Sequence, residues 1–310
     1  MNIEKIKKKF SNKLRPYSFL FPYSSLSYLS SKTKKQIDIL YFEIFEILKI
    51  QNIVECGARE ATASIEAIKR GAKAIAIEAN PTTFNQVTPK STDKFTKINI
   101  GLSDTSGKLD FFIPKKNTTA GSSTFLPKKK LDFNLVSVPI DTLDQVTKNF
   151  DLTSSPFSLW IDVEGMQKQV LLGSKNILKS KNCKFIKIEV EEREFFGGQL
   201  WLDTDVENFL YKFNFIPVFL DFERTYQYNI IFVKKDILEH ITKNVESSFE
   251  ASVRKNLSFF EIMKFILKCN LLIDFKVILI KFFGKRFGHF VAKILGSKSS
   301  QDFLNRNSKK

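Results

Sequence analysis

The sequence predicts an α/β fold built on a mainly parallel sheet that an antiparallel hairpin closes. Three observations carry this. Short apolar runs alternate with helically spaced ones from Ile53 to Val190. A glycine turn at Gly57 joins the first run to the first helix, and an acid, Glu78, ends the next run. Two late apolar runs, Phe215 to Leu220 and Tyr228 to Val233, are parted only by a short polar stretch. Alternating strands and helices imply βαβ units with parallel pairing, whereas a short connection allows the antiparallel return.

Taken in order, Met1 to Lys35 is basic, aromatic and Ser-rich and reads as an arm (1–35) before the main domain (36–240). From Lys35 to Ile50, Ile37, Leu40, Tyr41, Ile44, Phe45 and Leu48 recur at helical spacing, giving an amphipathic helix that can lie on a sheet. Ile53 to Cys56 and Ala74 to Glu78 read as strands, with a helix over Ala61 to Arg70 between them and a shorter one from Phe84. Lys97 to Leu102 supplies a third strand, Phe157 to Val163 a fourth and Phe185 to Val190 a fifth, with a helix over Gln167 to Leu178. The insertion from Gly107 to Phe157 carries strand-like segments at Leu109 to Ile113 and Leu135 to Ile140 around a polar loop. Loops of that length are commonly either functional or disordered, and Thr118 to Thr124 offers hydroxyls that suit a lid over a polar acceptor, with a plain surface loop as the competing reading.

Beyond His240 a basic, apolar helical extension (241–310) begins. Lysines interrupt every apolar window from Val253 to Leu295, so the tail is not a membrane span. Lys281, Lys285 and Arg286 alternate with Phe282, Phe283 and Phe287, a pattern that suits peripheral contact with an anionic membrane; the competing reading is packing on protein.

With 43% hydrophobic and 26% charged residues over 310 positions, the chain is globular and long enough for a sizeable core. The net charge of +16 is discounted as a partner signal, because a general richness in Lys, Asn, Ile and Phe supplies much of it; no nucleic-acid partner is expected. Cys56, Cys183 and Cys269 are widely spaced, which argues against a disulfide framework or a zinc cluster. With no secretory signal evident, the expected location is the cytoplasm, including the inner face of the membrane if the tail attaches there.

The chemistry gathers at strand ends. Glu55, Gly57 and Ala58 form a turn between a strand and a helix, where Gly57 lets a ligand approach the backbone and the helix offers N–H groups. Glu78 and Asn80 end the second strand, where a carboxylate can accept from both ribose hydroxyls of a nucleoside. Ser103 and Asp104 follow the third strand, and Asp162 and Glu164 close the fourth in the run Ile161-Asp162-Val163-Glu164-Gly165.

The order of these motifs resembles the FkbM methyltransferase family: the ECGA turn, the EANP strand end, LSDTSG, PIDTLD and IDVEG, from about Asn52 to Lys234. The resemblance implies a Rossmann-like class I methyltransferase fold with a seven-stranded sheet, S-adenosylmethionine as methyl donor, and O-methylation, often of sugars or polyketide-like natural products; the acceptor expected here is a small-molecule or lipid-linked glycan. It also implies a place for Asp104 near the adenine. The first family motif reads D-x-G-A-N-x-G, whereas this chain has Glu55, Arg59 and Ala61 in place of Asp, Asn and the second Gly. A guanidinium at Arg59 would repel a sulfonium unless it points outward.

Methyl transfer to an alcohol needs positioning and benefits from a base. His240 and His289 lie outside every motif, so the base falls to carboxylates at adjacent strand ends: Asp162, Glu164 and Glu189, with Glu191 beside them. Clustered acids raise one another's pKa or bind a divalent metal, and the metal-free form is the one expected. Phe195, Phe196 and Trp201 follow the fifth strand and suit the apolar faces of sugar rings, with core packing as the commoner use of such residues. Two alternatives compete: an NAD-type Rossmann oxidoreductase, which should show a fuller glycine motif, and a non-catalytic membrane-associated binding protein of the same fold.

Overall fold

The computed structural model describes residues 27–86, 88–115, 124–126, 132–191, 194, 196–220 and 227–241. The C-terminal extension and Thr118 to Ser123 of the lid segment lie outside the described residues.

Helix α1 (Ser27–Ile47) begins inside the stretch read as an arm and leads into β1 (Asn52–Cys56). There follow α2 (Thr62–Lys69), β2 (Lys73–Ile77), α3 (Pro81–Gln86) and β3 (Phe95–Ile98). The next elements are β4 (Gly101–Leu102), β5 (Gly107–Pro114), β6 (Phe133–Asp141) and α4 (Leu143–Val146). Then come β7 (Phe157–Ile161), α5 (Gln167–Leu172), α6 (Lys175–Lys179) and β8 (Cys183–Glu191). Helix α7 (Asp203–Tyr211) precedes the closing strands β9 (Phe215–Leu220) and β10 (Gln227–Lys234).

Seven strands form the main sheet in the order β3-β2-β1-β7-β8-β10-β9. Neighbours from β3 to β8 pair in parallel, while β10 runs antiparallel to both β8 and β9. This is the Rossmann-like class I layout, with its hairpin, that the sequence predicts. The order reverses direction between β1 and β7, so the crevice at their carboxyl ends is where a ligand is expected.

The two faces bury separate cores. Ile53, Ala74, Phe185, Ile231 and Val233 pack under α1 and α2, and Val54, Ile75, Leu159, Ile186, Ile188 and Phe232 pack under α5 and α7. Because strand side chains alternate, each strand feeds both cores, and on β8 the odd positions 187, 189 and 191 are polar on the α1 face.

Two sequence expectations are corrected. The third strand is two: β3 belongs to the main sheet and β4 to a second, three-stranded sheet of order β4-β6-β5. Between them Asn99 turns the chain, its side-chain amide donating to the carbonyls of Glu78 (2.7 Å) and Ala79 (3.2 Å). The helix expected over Gln167 to Leu178 breaks at Gly173, where a Cβ would strike the Ser103 carbonyl oxygen. Strands β5 and β6 pair antiparallel over Gly107 to Pro114, so the insertion is a hairpin.

Candidate functional site

A cavity of about 320 Å³ opens at the carboxyl ends of β1, β2, β7 and β8. Gly57, Ala58, Glu78, Asn80, Ile100 and Leu102 line its outer end; Asp38, Glu55, Trp160, Lys187 and Gln227 line its inner end; Asp162, Glu164 and Glu189 stand among them.

The turn after β1 is shaped by close approach. Gly57 has φ +80° and a Cβ there would overlap the Asp162 carbonyl oxygen, so β1 and β7 come together at their ends only because position 57 has no side chain. Arg59 and Ala61 also take left-handed conformations, with φ of 44° and 55°. Asn tolerates that region and Gly favours it, which gives a physical reason for the family residues at these two positions and leaves this chain with local strain. The Arg59 side chain lies at the cavity rim, half exposed and 3.2 Å from Glu60, which also lines the cavity and offsets its charge.

Glu78 is oriented by its own backbone surroundings. Its Oε2 accepts from the Arg59 N–H and its Oε1 from the Asn80 N–H, both at 2.8 Å. Each oxygen keeps acceptor capacity toward the cavity. Burial raises its pKa, and the two backbone donors oppose that shift. Asn80 caps α3, its Oδ1 accepting from Thr82 (3.0 Å) and Thr83 (3.3 Å). Glu55 is turned toward α2, accepting from the Ala63 (3.3 Å) and Ser64 (2.8 Å) N–H groups, and burial pushes its carboxyl up to about 7. Its first contacts are therefore with the helix N-terminus.

Asp162, Glu164 and Glu189 converge: one carboxylate oxygen from each lies within 4.8 Å of the others, a spacing that suits either a shared proton or a divalent cation. Glu189 is buried, and its Oε1 accepts from Gln227 at 2.7 Å. Glu191, two residues further along the same strand face and outside the cavity lining, is surrounded by amides: Gln167 (3.0 Å) and Gln199 (2.5 Å) donate to Oε2 and Gln227 (3.2 Å) to Oε1. Burial raises its pKa, and the neighbouring Asp162 charge adds to the rise. Thr124, midway along the connection between β5 and β6, lines the cavity and donates to the Glu164 carbonyl at 2.8 Å.

Ser103 and Asp104 sit apart from this lining. Ser103 is buried beside Gly173 and Asp104 is exposed, while Ile100 and Leu102 of the same segment reach the cavity wall. Of the aromatic residues after β8, Phe195 lies outside the described residues, and the other two take the packing role. Phe196 is fully buried against Gly165, whose missing Cβ makes room for its ring, and Trp201 packs on Phe209 at 5.1 Å. Both rings therefore serve packing.

Sequence reasoning passed over Asp38, Trp160, Lys187 and Gln227. The polar positions 187, 189 and 191 on one face of an otherwise apolar strand were the available signal.

The methyltransferase FkbM domain model matches residues 55–228. No curated protein matches the chain. Among solved structures, magnesium protoporphyrin IX methyltransferase from Synechocystis PCC 6803 with bound SAM is similar at 8% identity, covering 76% of this chain and 98% of that one, with a TM-score of 0.39. TrmK of M. capricolum in complex with S-adenosyl-homocysteine is similar at 12% identity over 76% of this chain and 96% of its own, TM-score 0.35. A third is the 1,6-didemethyltoxoflavin-N1-methyltransferase of Burkholderia thailandensis, at 10% identity over 65% and 77%, TM-score 0.34.

Proposed function

The chain belongs to the FkbM methyltransferase family, and from that premise we propose that it methylates a hydroxyl of a glycan or related small acceptor, with S-adenosylmethionine as donor. The observation that carries the reading is one continuous cavity that joins a nucleoside-type end at Glu78 to the three converging carboxylates.

The residues present fit such a donor. Glu78 has acceptor capacity for two ribose hydroxyls, Gly57 lets the ends of β1 and β7 meet at the cavity, and Ile77, Ile100 and Leu102 supply apolar wall for a base. When bound, the donor supplies an electrophilic methyl group on a sulfonium. The acid-rich cavity favours that cation, and Glu60 pairs with Arg59 at its rim. The turn of Asp162 and Glu164 holds the acceptor hydroxyl in line, which accounts for much of the rate in a displacement of this kind. Asp162 or Glu189 takes the hydroxyl proton as the oxygen becomes bonded to carbon. Thr124 closes the acceptor side.

The test is incubation with methyl-labelled S-adenosylmethionine and cell-envelope glycan extracts. The expected product is a labelled methyl ether on a glycan oxygen. Label confined to nitrogen or to carboxyl esters, or no label in any fraction, contradicts the proposal.

A further inference from the structure

The inner end of the cavity holds charges that proton removal does not use. Lys187 is fully buried within β8, yet its ammonium reaches the cavity wall, where it donates to Asp38 Oδ1 at 2.7 Å and stands 3.4 Å from the centre of the Trp160 ring. An ammonium has three N–H groups, and Asp38 takes one of them. Asp38, on α1, is about one-third exposed and lines the same cavity. Glu55 shares the strand row of Trp160 and Lys187, but its oxygens are turned to the α2 backbone. This end of the cavity therefore presents one ammonium and one carboxylate side by side.

An α-amino acid carries the complementary pair. We propose that Asp38 and Lys187 hold the amino-acid end of the methyl donor, Lys187 binding its α-carboxylate and Asp38 its α-ammonium. The inference rests on the reading that the donor is S-adenosylmethionine with its ribose at Glu78. The reach agrees: Glu78 follows β2, and the Lys187 ammonium stands over Trp160 of β7, two strands away. Two inter-strand spacings are about 10 Å, which the bonds from ribose through sulfur to the carboxylate span. The aromatic ring fixes the ammonium in place, and because Lys187 itself is withdrawn from water a charge-assisted bond to it is strong.

The ligands that test this are S-adenosylhomocysteine and 5′-methylthioadenosine, which share nucleoside and sulfur and differ in the amino-acid group. Calorimetry on the full chain is expected to show tighter binding of S-adenosylhomocysteine. Lys187→Met should lower that affinity by roughly tenfold or more and leave 5′-methylthioadenosine binding unchanged. If Lys187→Met fails to fold, the double variant Asp38→Asn with Lys187→Met leaves no unpaired charge and serves the same comparison. Undiminished S-adenosylhomocysteine binding in the variant overturns the inference, as does an equal loss for both ligands. An unchanged protein that binds neither ligand overturns the donor reading itself, whereas one that binds both equally overturns only the role of the Asp38–Lys187 pair.

Discussion

Replacing Glu55 by Gln removes a buried charge whose cost follows directly from its surroundings. The carboxyl lies under α2, and burial holds its pKa at about 7 against 4.5 for the solvated group. Between those two values the folded chain keeps a proton that the unfolded chain has released. Stability from this group therefore falls as pH rises from 4.5 to about 7 and is level on either side. At about 1.4 kcal/mol per pH unit the full window is worth roughly 3 kcal/mol. Glutamine stays neutral throughout, and its amide oxygen can still accept from Ser64. Any misfit of its NH₂ group against the Ala63 N–H is a constant offset. Burial acts in the same direction on Glu78 and Glu191, but both remain in either protein and cancel in the comparison. Urea denaturation of both proteins at pH 5 and pH 8 is the assay. The Glu55→Gln protein should gain roughly 3 kcal/mol on the original between the two conditions. A difference independent of pH, or one that favours Glu55 at pH 8, would refute the reasoning, because it would mean that the helix N-terminus outweighs burial.

Three further outcomes follow from the site. Glu78→Ala should weaken S-adenosylhomocysteine binding by roughly tenfold or more and, by stranding the Arg59 and Asn80 N–H groups, lower stability by about 2 kcal/mol; calorimetry and thermal melting read the two effects separately. Asp162→Asn should keep donor affinity while turnover falls at least about a hundredfold, measured as label transfer per bound donor. Arg59→Asn should raise the unfolding free energy by up to about 1 kcal/mol, since Asn tolerates the left-handed backbone that Arg59 is forced to adopt; a urea titration decides.

The parallel strands were legible because each is an apolar run bounded by a turn, and the pattern places β1, β2, β7, β8 and both hairpin strands within a residue or two of their observed limits. Where the sequence misled, a tertiary contact decided. Asn99 divides an apolar stretch between two sheets by bonding across to the end of β2, a partner that no local pattern reveals. Gly173 ends a helix because the chain after β4 passes against it. The same holds at the site. Glu78, Asp162 and Glu189 are visible as acids at strand ends, and the fold brings them to one cavity. Lys187 is a buried cation in the middle of β8, and its partner Asp38 lies 149 positions away, so their pairing emerges only when α1 packs on the sheet.

The account stands or falls on whether the cavity holds S-adenosylmethionine. Trp160 lies in its wall beside Lys187 and reports on what enters. Titrating the unchanged protein with S-adenosylhomocysteine and, separately, with NAD, while following tryptophan fluorescence and heat, tests the claim directly. The account predicts saturable one-to-one binding of S-adenosylhomocysteine with a change in emission, and no response to NAD. Binding of NAD, or no binding of S-adenosylhomocysteine, would contradict it.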